Sequence, residues 1–405
     1  MNINWPADLV RPGDLVVVAQ GVGEPTPLLN QLLAACPRDV EIFVGLSHSD
    51  ALIGSAPQRP LVSFGAMGPL GKLAATGHAE VIPCNFDDLP RLLPLRARSN
   101  LVLLMQVSPA DSQGCHGLGM AMDYTYELIS QARTVVAEVN AAMPTTSAPT
   151  LPASTFGAVI HTSRPLPIVP TPAVDEDHHG IARHILPLIP DGGTIQLGIG
   201  AVPSAIGKAL TARRGLRVRS TLAGDWLLDL HRAGSLCEEP GSVIISEAAG
   251  SEELYEHIAT STAWVRPVAE VIGPAAAASI PRLFAVNSAL QVDLTGQVNA
   301  EEIDSRYLGA TGGQAEFLRA AQRSPGGASI VALAATANGG RTSRIVRQLQ
   351  PPTVTTPRTS IDFVATEFGV VDLRGRTLRE RADAMIAIAA PQHRSSLHEQ
   401  NGQQR

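Results

Sequence analysis

Apolar residues along the chain fall into short, nearly unbroken runs separated by helical patterns. VEIFVGL (40–46), NLVLLMQV (100–107), TVVAEV (134–139), SVIIS (242–246), LFAVNSAL (283–290), SIVALAA (329–335) and DFVATEF (362–368) read this way. Runs of that kind are strands buried on both faces, as in a parallel sheet covered by helices. RPGDLVVVAQGVGEPTPLLNQLLA, from Arg11, reads as turn, apolar strand, Gly-x-Gly loop and apolar helix, and IPDGGTIQLGIGAVPSAIGKALTA, from Ile189, repeats that order. Gly21-Val22-Gly23 thus falls on Gly198-Ile199-Gly200, and two such copies predict two similar α/β domains. RVRSTLAGDW, Arg217 to Trp226, reads as a strand entering a tight turn that presents Ser220 and Thr221.

The proline-rich stretch RPLPIVPTPAVDEDHHG (164–180) is the expected boundary, because proline keeps it extended and outside either sheet. This predicts domains over 1–170 and 171–391, with a polar tail over 392–405.

Length and composition agree: 405 residues exceed one ordinary core, and 44% apolar with 17% charged residues is a globular balance. A net charge of −6 argues against a nucleic-acid partner, since phosphate binding wants clustered positive charge. Lys72 and Lys208 are the only lysines, so nearly all positive charge is arginine, which suits fork-like recognition of carboxylate or phosphate. Cys36, Cys84, Cys115 and Cys237 are far apart and in no CxxC spacing, against a disulfide framework or zinc ribbon and in favour of a reduced cytoplasm. The N-terminus has no signal-peptide pattern and no apolar run approaches about 18 residues, so neither secretion nor a membrane span is expected.

The candidate chemistry begins with the glycine loops. Gly198-Ile199-Gly200 at a strand's carboxyl end lets backbone approach a ligand, and the following helix favours negative charge, although a plain tight turn fits the same residues. GxGxxG is absent, which disfavours a dinucleotide cofactor. YLGATGGQAEF, from Tyr307, precedes a second helix whose amides suit an anion or a developing oxyanion. The polar segment NSALQVDLTGQVNAE, from Asn287, lines a cleft or caps a hairpin. His178 and His179 in DEDHHG are adjacent and diverge on a helix, so a metal is not expected there. The chain has no GxSxG elbow.

QLGIGAVPSAIGKAL, VNSALQVDLTGQVNAE, GGQAEFLRAA and VATEFGVVDLRGRTLRERADAMIAIAAP closely resemble the acetyl-CoA hydrolase/transferase family of class I CoA-transferases, as do QVSPADSQGCHGLGMAMDYTYELI and VVAEVNAAMP in the first half. That group includes 4-hydroxybutyrate and butyryl-CoA:acetate CoA-transferases. The resemblance implies two related open α/β domains with the active site between them, and a homodimer. It implies a CoA or carrier-bound acyl thioester as substrate, with no permanently bound cofactor. Family members use a glutamate that attacks the thioester and becomes a glutamyl-CoA thioester. Oxyanion contacts come from the first loop, here Gly198, Ile199 and Gly200, and from the second, here Gly312 and Gly313.

The family segment LGVHTEMFSDGVVDL meets LRVRSTLAGDWLLDL here, in register at Leu216, Val218, Asp225, Asp229 and Leu230, and places Thr221 at the nucleophile. RPVDYVN becomes RPVAEVI, so Ile272 replaces an asparagine expected at the carboxylate substrate, and NSALE becomes NSALQ at Gln291. Glu367 in ATEFG matches a retained glutamate. Asp225, Ile272, Asn287 and Gln291 are therefore substrate-site candidates; Asp225, His231, Glu247 and Glu270 are acid–base candidates, and Glu367 is the strongest of them because its motif survives. Threonine has no useful anionic fraction near neutral pH. The expectation is acyl transfer, cyclisation or hydrolysis without a glutamyl intermediate, in a specialised biosynthetic setting. The alternatives are ordinary CoA transfer through a stand-in carboxylate, Glu247 or Glu270, and an inactive thioester-binding subunit.

Overall fold

The structure is a computed structural model that describes residues 9–35, 39–54, 61–98, 100–304 and 306–402. Cys36, the first eight residues and the last three lie outside these.

Two compact units emerge. The first holds the chain up to Pro170 together with Val243–Gly273 and Arg306–Gly312. Its sheet has seven strands in the order Ala79–Val81, Leu61–Ser63, Glu41–Val44, Leu15–Val18, Leu101–Val107, Thr134–Asn140 and Ala158–Thr162. Every neighbouring pair is parallel. Leu15–Val18 and Leu101–Val107 are buried at every position, which is why their sequences do not alternate. Val16, Val18, Leu28, Leu29, Leu32, Ile42, Val102 and Leu104 form part of one continuous core.

Both returning segments are tied to this unit through backbone. Met122 N–H donates to Ser246 O (2.9 Å) and Ala248 N–H to Met120 O (3.1 Å), fixing strand Val243–Ala248. Ala66 N–H donates to Gly309 O and Phe86 N–H to Gly312 O, each at 2.9 Å.

The second unit comprises Thr171–Ser242, Pro274–Ser305 and Gly313–Arg405. Its strands run in the order Arg217–Ala223, Thr194–Leu197, Leu283–Ser288, Ala328–Ala332, Phe363–Thr366 and Gly369–Asp372. The first five are parallel and the last pair is an antiparallel hairpin. The repeat read from the sequence is present in each unit separately: Leu15–Val18 and Thr194–Leu197 are both central strands, each leading through its glycine loop into a helix, Thr26–Ala35 and Ala201–Leu210.

His178 is part of a helix cap. Asp175 accepts the His178 backbone N–H at 3.1 Å while His178 Nδ1 accepts that of Asp175 at 3.2 Å, a reciprocal box opening helix Glu176–Ile185. The polar C-terminal stretch is helical over Pro391–Gly402. No helix among the described residues is long and apolar enough to cross a membrane.

Candidate active site

In the second unit, strand Thr194–Leu197 ends in Gly198-Ile199-Gly200 and helix Ala201–Leu210 begins at once. Gly200 has φ 111° and ψ −179°, a backbone conformation that L side chains rarely adopt. A Cβ built on Gly198 or Gly200 meets nothing within 4 Å, so this loop faces open space. Its carbonyls are occupied on the protein side: Trp226 Nε1 donates to Gly198 O at 2.8 Å and Ser220 Oγ to Leu197 O at 2.7 Å. Trp226 also lies so close to Gly207 that a Cβ there would come within 2.4 Å of its own Cβ, and Ile199 Cγ2 would lie 3.3 Å from a Cβ on Gly224. The loop is therefore clamped by the strand-to-helix turn that follows Thr221.

Strand Arg217–Ala223 alternates, and the alternation decides between its two hydroxyls. Ser220 points inward with Val218 and is 1% exposed, its Oγ donating also to Leu222 O at 3.1 Å. Thr221 takes the other face and is half-buried. The Thr221 hydroxyl lies 3.6 Å from where a Cβ on Gly313 would sit, an ordinary van der Waals distance that makes the second glycine loop its direct neighbour. Gly313 caps helix Gln314–Arg323 with no side-chain hydrogen bond. Gly312, at φ 56°, belongs with the first unit, its carbonyl accepting from Phe86 N–H.

Thr221 and Gly313 are thus neighbours, Ile199 packs against the turn at Gly224, and the other candidates have different neighbours. Asp225 opens helix Trp226–Arg232, with Thr171 Oγ1 3.5 Å from its Oδ2. Asn287 Nδ2 donates to Gln196 Oε1 at 2.8 Å, tying its strand to the one that carries the first loop. Gln291 starts the hairpin of Gln291–Asp293 and Val298–Asn299, and its Oε1 is buried with no hydrogen-bond partner among the described residues. Ile272 is 1% exposed in the first unit, where its amide ends the helix Val268–Val271. Glu367 sits in the hairpin turn, where its carboxylate accepts the Ala335 amide at 2.8 and 3.2 Å and its Cα and Cβ crowd Gly180. Burial raises its pKa, and the Ala335 hydrogen bond opposes the rise.

The two stand-in carboxylates also differ. Glu270 is exposed and 3.8 Å from Arg266, and His231 is exposed. Glu247 is 2% exposed in the first unit. Its Oε1 accepts from Gln20 Nε2 at 2.7 Å, while Oε2 has no hydrogen-bond partner among the described residues and lies 3.0 Å from where a Cβ on Gly21 would be. Burial pushes the Glu247 carboxyl above its ordinary range, Asp123 adds to the rise and Gln20 opposes it. Sequence reasoning missed Gln20 and Asp123, since their partners are remote along the chain. It also missed Gln314, whose signal is a polar residue on an otherwise apolar helix stripe.

Residues 250–401 match the family model described as acetyl-CoA hydrolase/transferase C-terminal domain. The chain is 33% identical to the 4-hydroxybutyrate coenzyme A transferase of Clostridium kluyveri, over 94% of this chain and 92% of that protein. It is similar in structure to RipA from Yersinia pestis, with a TM-score of 0.89 and 28% identity over 97% of this chain and 94% of the other. The 4-hydroxybutyrate CoA-transferase from Porphyromonas gingivalis superposes with a TM-score of 0.80 at 30% identity, over 98% and 96% of the two chains.

Proposed function

Because the chain belongs to the acetyl-CoA hydrolase/transferase family of CoA-transferases, we propose that it processes acyl thioesters, on CoA or a carrier protein, without a glutamyl-CoA intermediate. The observation that carries this reading is the Thr221 hydroxyl beside Gly313, on the strand whose turn clamps the Ile199 loop. The position that the family pattern gives to a glutamate holds a group with no anionic fraction near neutral pH. The surrounding backbone remains suited to a carbonyl.

In this reading the thioester carbonyl oxygen accepts the amides of Ile199 and Gly313. Water, an amine or an alcohol attacks the carbonyl carbon, its new bond forms as the carbonyl π pair moves onto oxygen, and the oxyanion is held by those two donors. Collapse breaks the C–S bond, and the thiol leaves with the proton that the nucleophile gave up. One oxyanion donor contributes about 10²–10³ in rate. No permanently bound cofactor takes part. The reading carries with it a cytoplasmic homodimer and a specialised biosynthetic setting.

A second reading keeps classical CoA transfer and lets Glu247 stand in for the missing nucleophile. What favours it is the buried carboxyl oxygen of Glu247 without a partner. Mass spectrometry separates the two. Turnover of an acyl-CoA with no hydroxylamine- or borohydride-sensitive enzyme–CoA adduct supports the first reading. An adduct on Glu247, lost in E247Q, replaces it with the second. Binding without turnover of any thioester removes both and leaves a binding subunit.

A further inference from the structure

Helix Gln314–Arg323 buries a stripe at positions 314, 317, 318 and 321, the spacing of one helical face. Phe317, Leu318 and Ala321 are 1%, 0% and 0% exposed and form an ordinary apolar seam. Gln314 occupies the first position of that seam at 7% exposure, where a leucine or methionine of similar length would pack. Its Nε2 has no hydrogen-bond partner among the described residues. A buried amide donor left unmade is costly, and native structures rarely keep one without a use.

The direction of that donor follows from the helix. Side chains lean toward the helix N-terminus, so a first-turn residue is directed back over Gly313. Gly313 is the neighbour of the Thr221 hydroxyl, 3.6 Å from it at the position of a Cβ, and it provides no side-chain cap for the opening amides of the helix. Three kinds of donor therefore gather at one helix end: the Gly313 amide, the uncapped first-turn amides and the Gln314 side-chain amide. All favour an electron-rich oxygen.

We propose that Gln314 is a catalytic residue whose side-chain N–H donates to the carbonyl oxygen of the bound thioester as it becomes an oxyanion. This rests on the reading that a thioester carbonyl lies beside Thr221, and adds a side-chain donor to the two backbone ones. The bond is completed only when substrate is present, which accounts for the unpartnered nitrogen. A neutral amide supports developing negative charge without attracting a competing anion.

The test uses the full chain and follows thiol release from acetyl-CoA and butyryl-CoA, with thermal melts of the same samples. Gln314→Met and Gln314→Leu keep the volume and remove the donor. Both are expected to melt at or above the wild-type temperature, because a buried unsatisfied group is gone, and to lose about 10²-fold in kcat with a smaller change in KM. Gln314→Glu places a carboxylate against the oxyanion and is expected to lose more. Wild-type kcat in Gln314→Met overturns the proposal while the thioester reading stands. Lowered melting temperatures in both apolar variants also overturn it, because the amide then has a structural partner. A wild type that releases no thiol from any thioester removes the underlying reading, and the proposal with it.

Discussion

Gln20 holds Glu247 by its side-chain amide, Nε2 to Oε1 at 2.7 Å across 227 positions of sequence. The backbone N–H of Gln20 donates at the same time to Asp123 Oδ2 at 2.6 Å. One residue thereby clamps two buried carboxyls beside Gly21, and strand Val243–Ala248 is held to the first unit by side chain as well as backbone. Burial is the largest cause of the raised pKa at both groups, and the nearby Tyr124 and Glu24 supply no positive charge.

Stability should therefore fall with rising pH. A carboxyl whose folded pKa exceeds its unfolded value keeps its proton in the native state after the unfolded chain has released its own. The loss begins at the ordinary glutamate value, about 4.3, and is complete above the raised one. Each tenfold difference in proton affinity between the folded and unfolded chains is worth about 1.4 kcal/mol. Glu247→Gln keeps the shape and removes the titration. Urea unfolding from pH 5 to 9 should give a shallower fall in the variant and a higher stability than wild type at pH 9. Parallel profiles for the two proteins would exclude Glu247 as the source.

The two glycines that flank Ile199 should respond differently to alanine. Gly200→Ala forces a side chain onto φ 111° and is expected to cost about 1–3 kcal/mol, although its Cβ would meet nothing. Gly198→Ala imposes no such strain and should melt near the wild-type temperature. Its methyl nevertheless projects into the open space before the loop, so thiol release is expected to drop. Melts and steady-state rates on the pair separate backbone strain from ligand approach.

Trp226 is the other support of that loop. Trp226→Phe retains the ring against Gly207 and deletes the donor to Gly198 O. The net loss of one buried hydrogen bond is about 1 kcal/mol. A larger effect is expected on kcat than on KM, since a misplaced Ile199 amide weakens the oxyanion more than the bound ester. Equal changes in both constants would limit Trp226 to packing.

Much of this architecture is legible in the amino-acid sequence because it is local. Leu101–Val107 is buried on both faces and reads as an unbroken apolar run. RVRSTLAGDW reads as a strand entering a turn that presents both Ser220 and Thr221, whereas the structure keeps both within strand Arg217–Ala223 and turns Ser220 inward with Val218. Gly198-Ile199-Gly200 announces its turn by composition. The return of Val243–Gly273 to the first unit is not local, since the residues that hold it, Met120 and Met122, carry no mark of that pairing. Glu367 shows the same limit: its motif survives, yet its carboxylate is engaged by Ala335, 32 positions away. Ile272 is buried at the end of helix Val268–Val271 in the first unit, a placement that no local pattern around it marks.

Thr221 offers the most direct test of what the site can still do. Thr221→Ala removes the hydroxyl of a half-buried strand residue, and its cost in stability should be within about 0.5 kcal/mol. Ser220→Ala should cost more, about 1 kcal/mol, because its hydroxyl bonds two backbone carbonyls. If Thr221 serves as a structural residue beside the reacting carbonyl, thiol release persists in Thr221→Ala. If the hydroxyl positions the attacking group, kcat falls. Thr221→Glu restores a carboxylate on the strand face that meets Gly313, where the thioester is expected to lie. Such a carboxylate attacks the thioester carbonyl and expels the thiolate, leaving an acyl–glutamyl anhydride; the thiolate then attacks the glutamyl carbonyl, releasing the acyl group as its free carboxylate and leaving a glutamyl-CoA thioester from which CoA passes to acetate. A borohydride-sensitive adduct and transfer to acetate in Thr221→Glu, absent from wild type, would show that Ile199 and Gly313 still form a working oxyanion pair. Failure to form the adduct in a variant that melts normally would mean that the loops around Thr221 have diverged together with it.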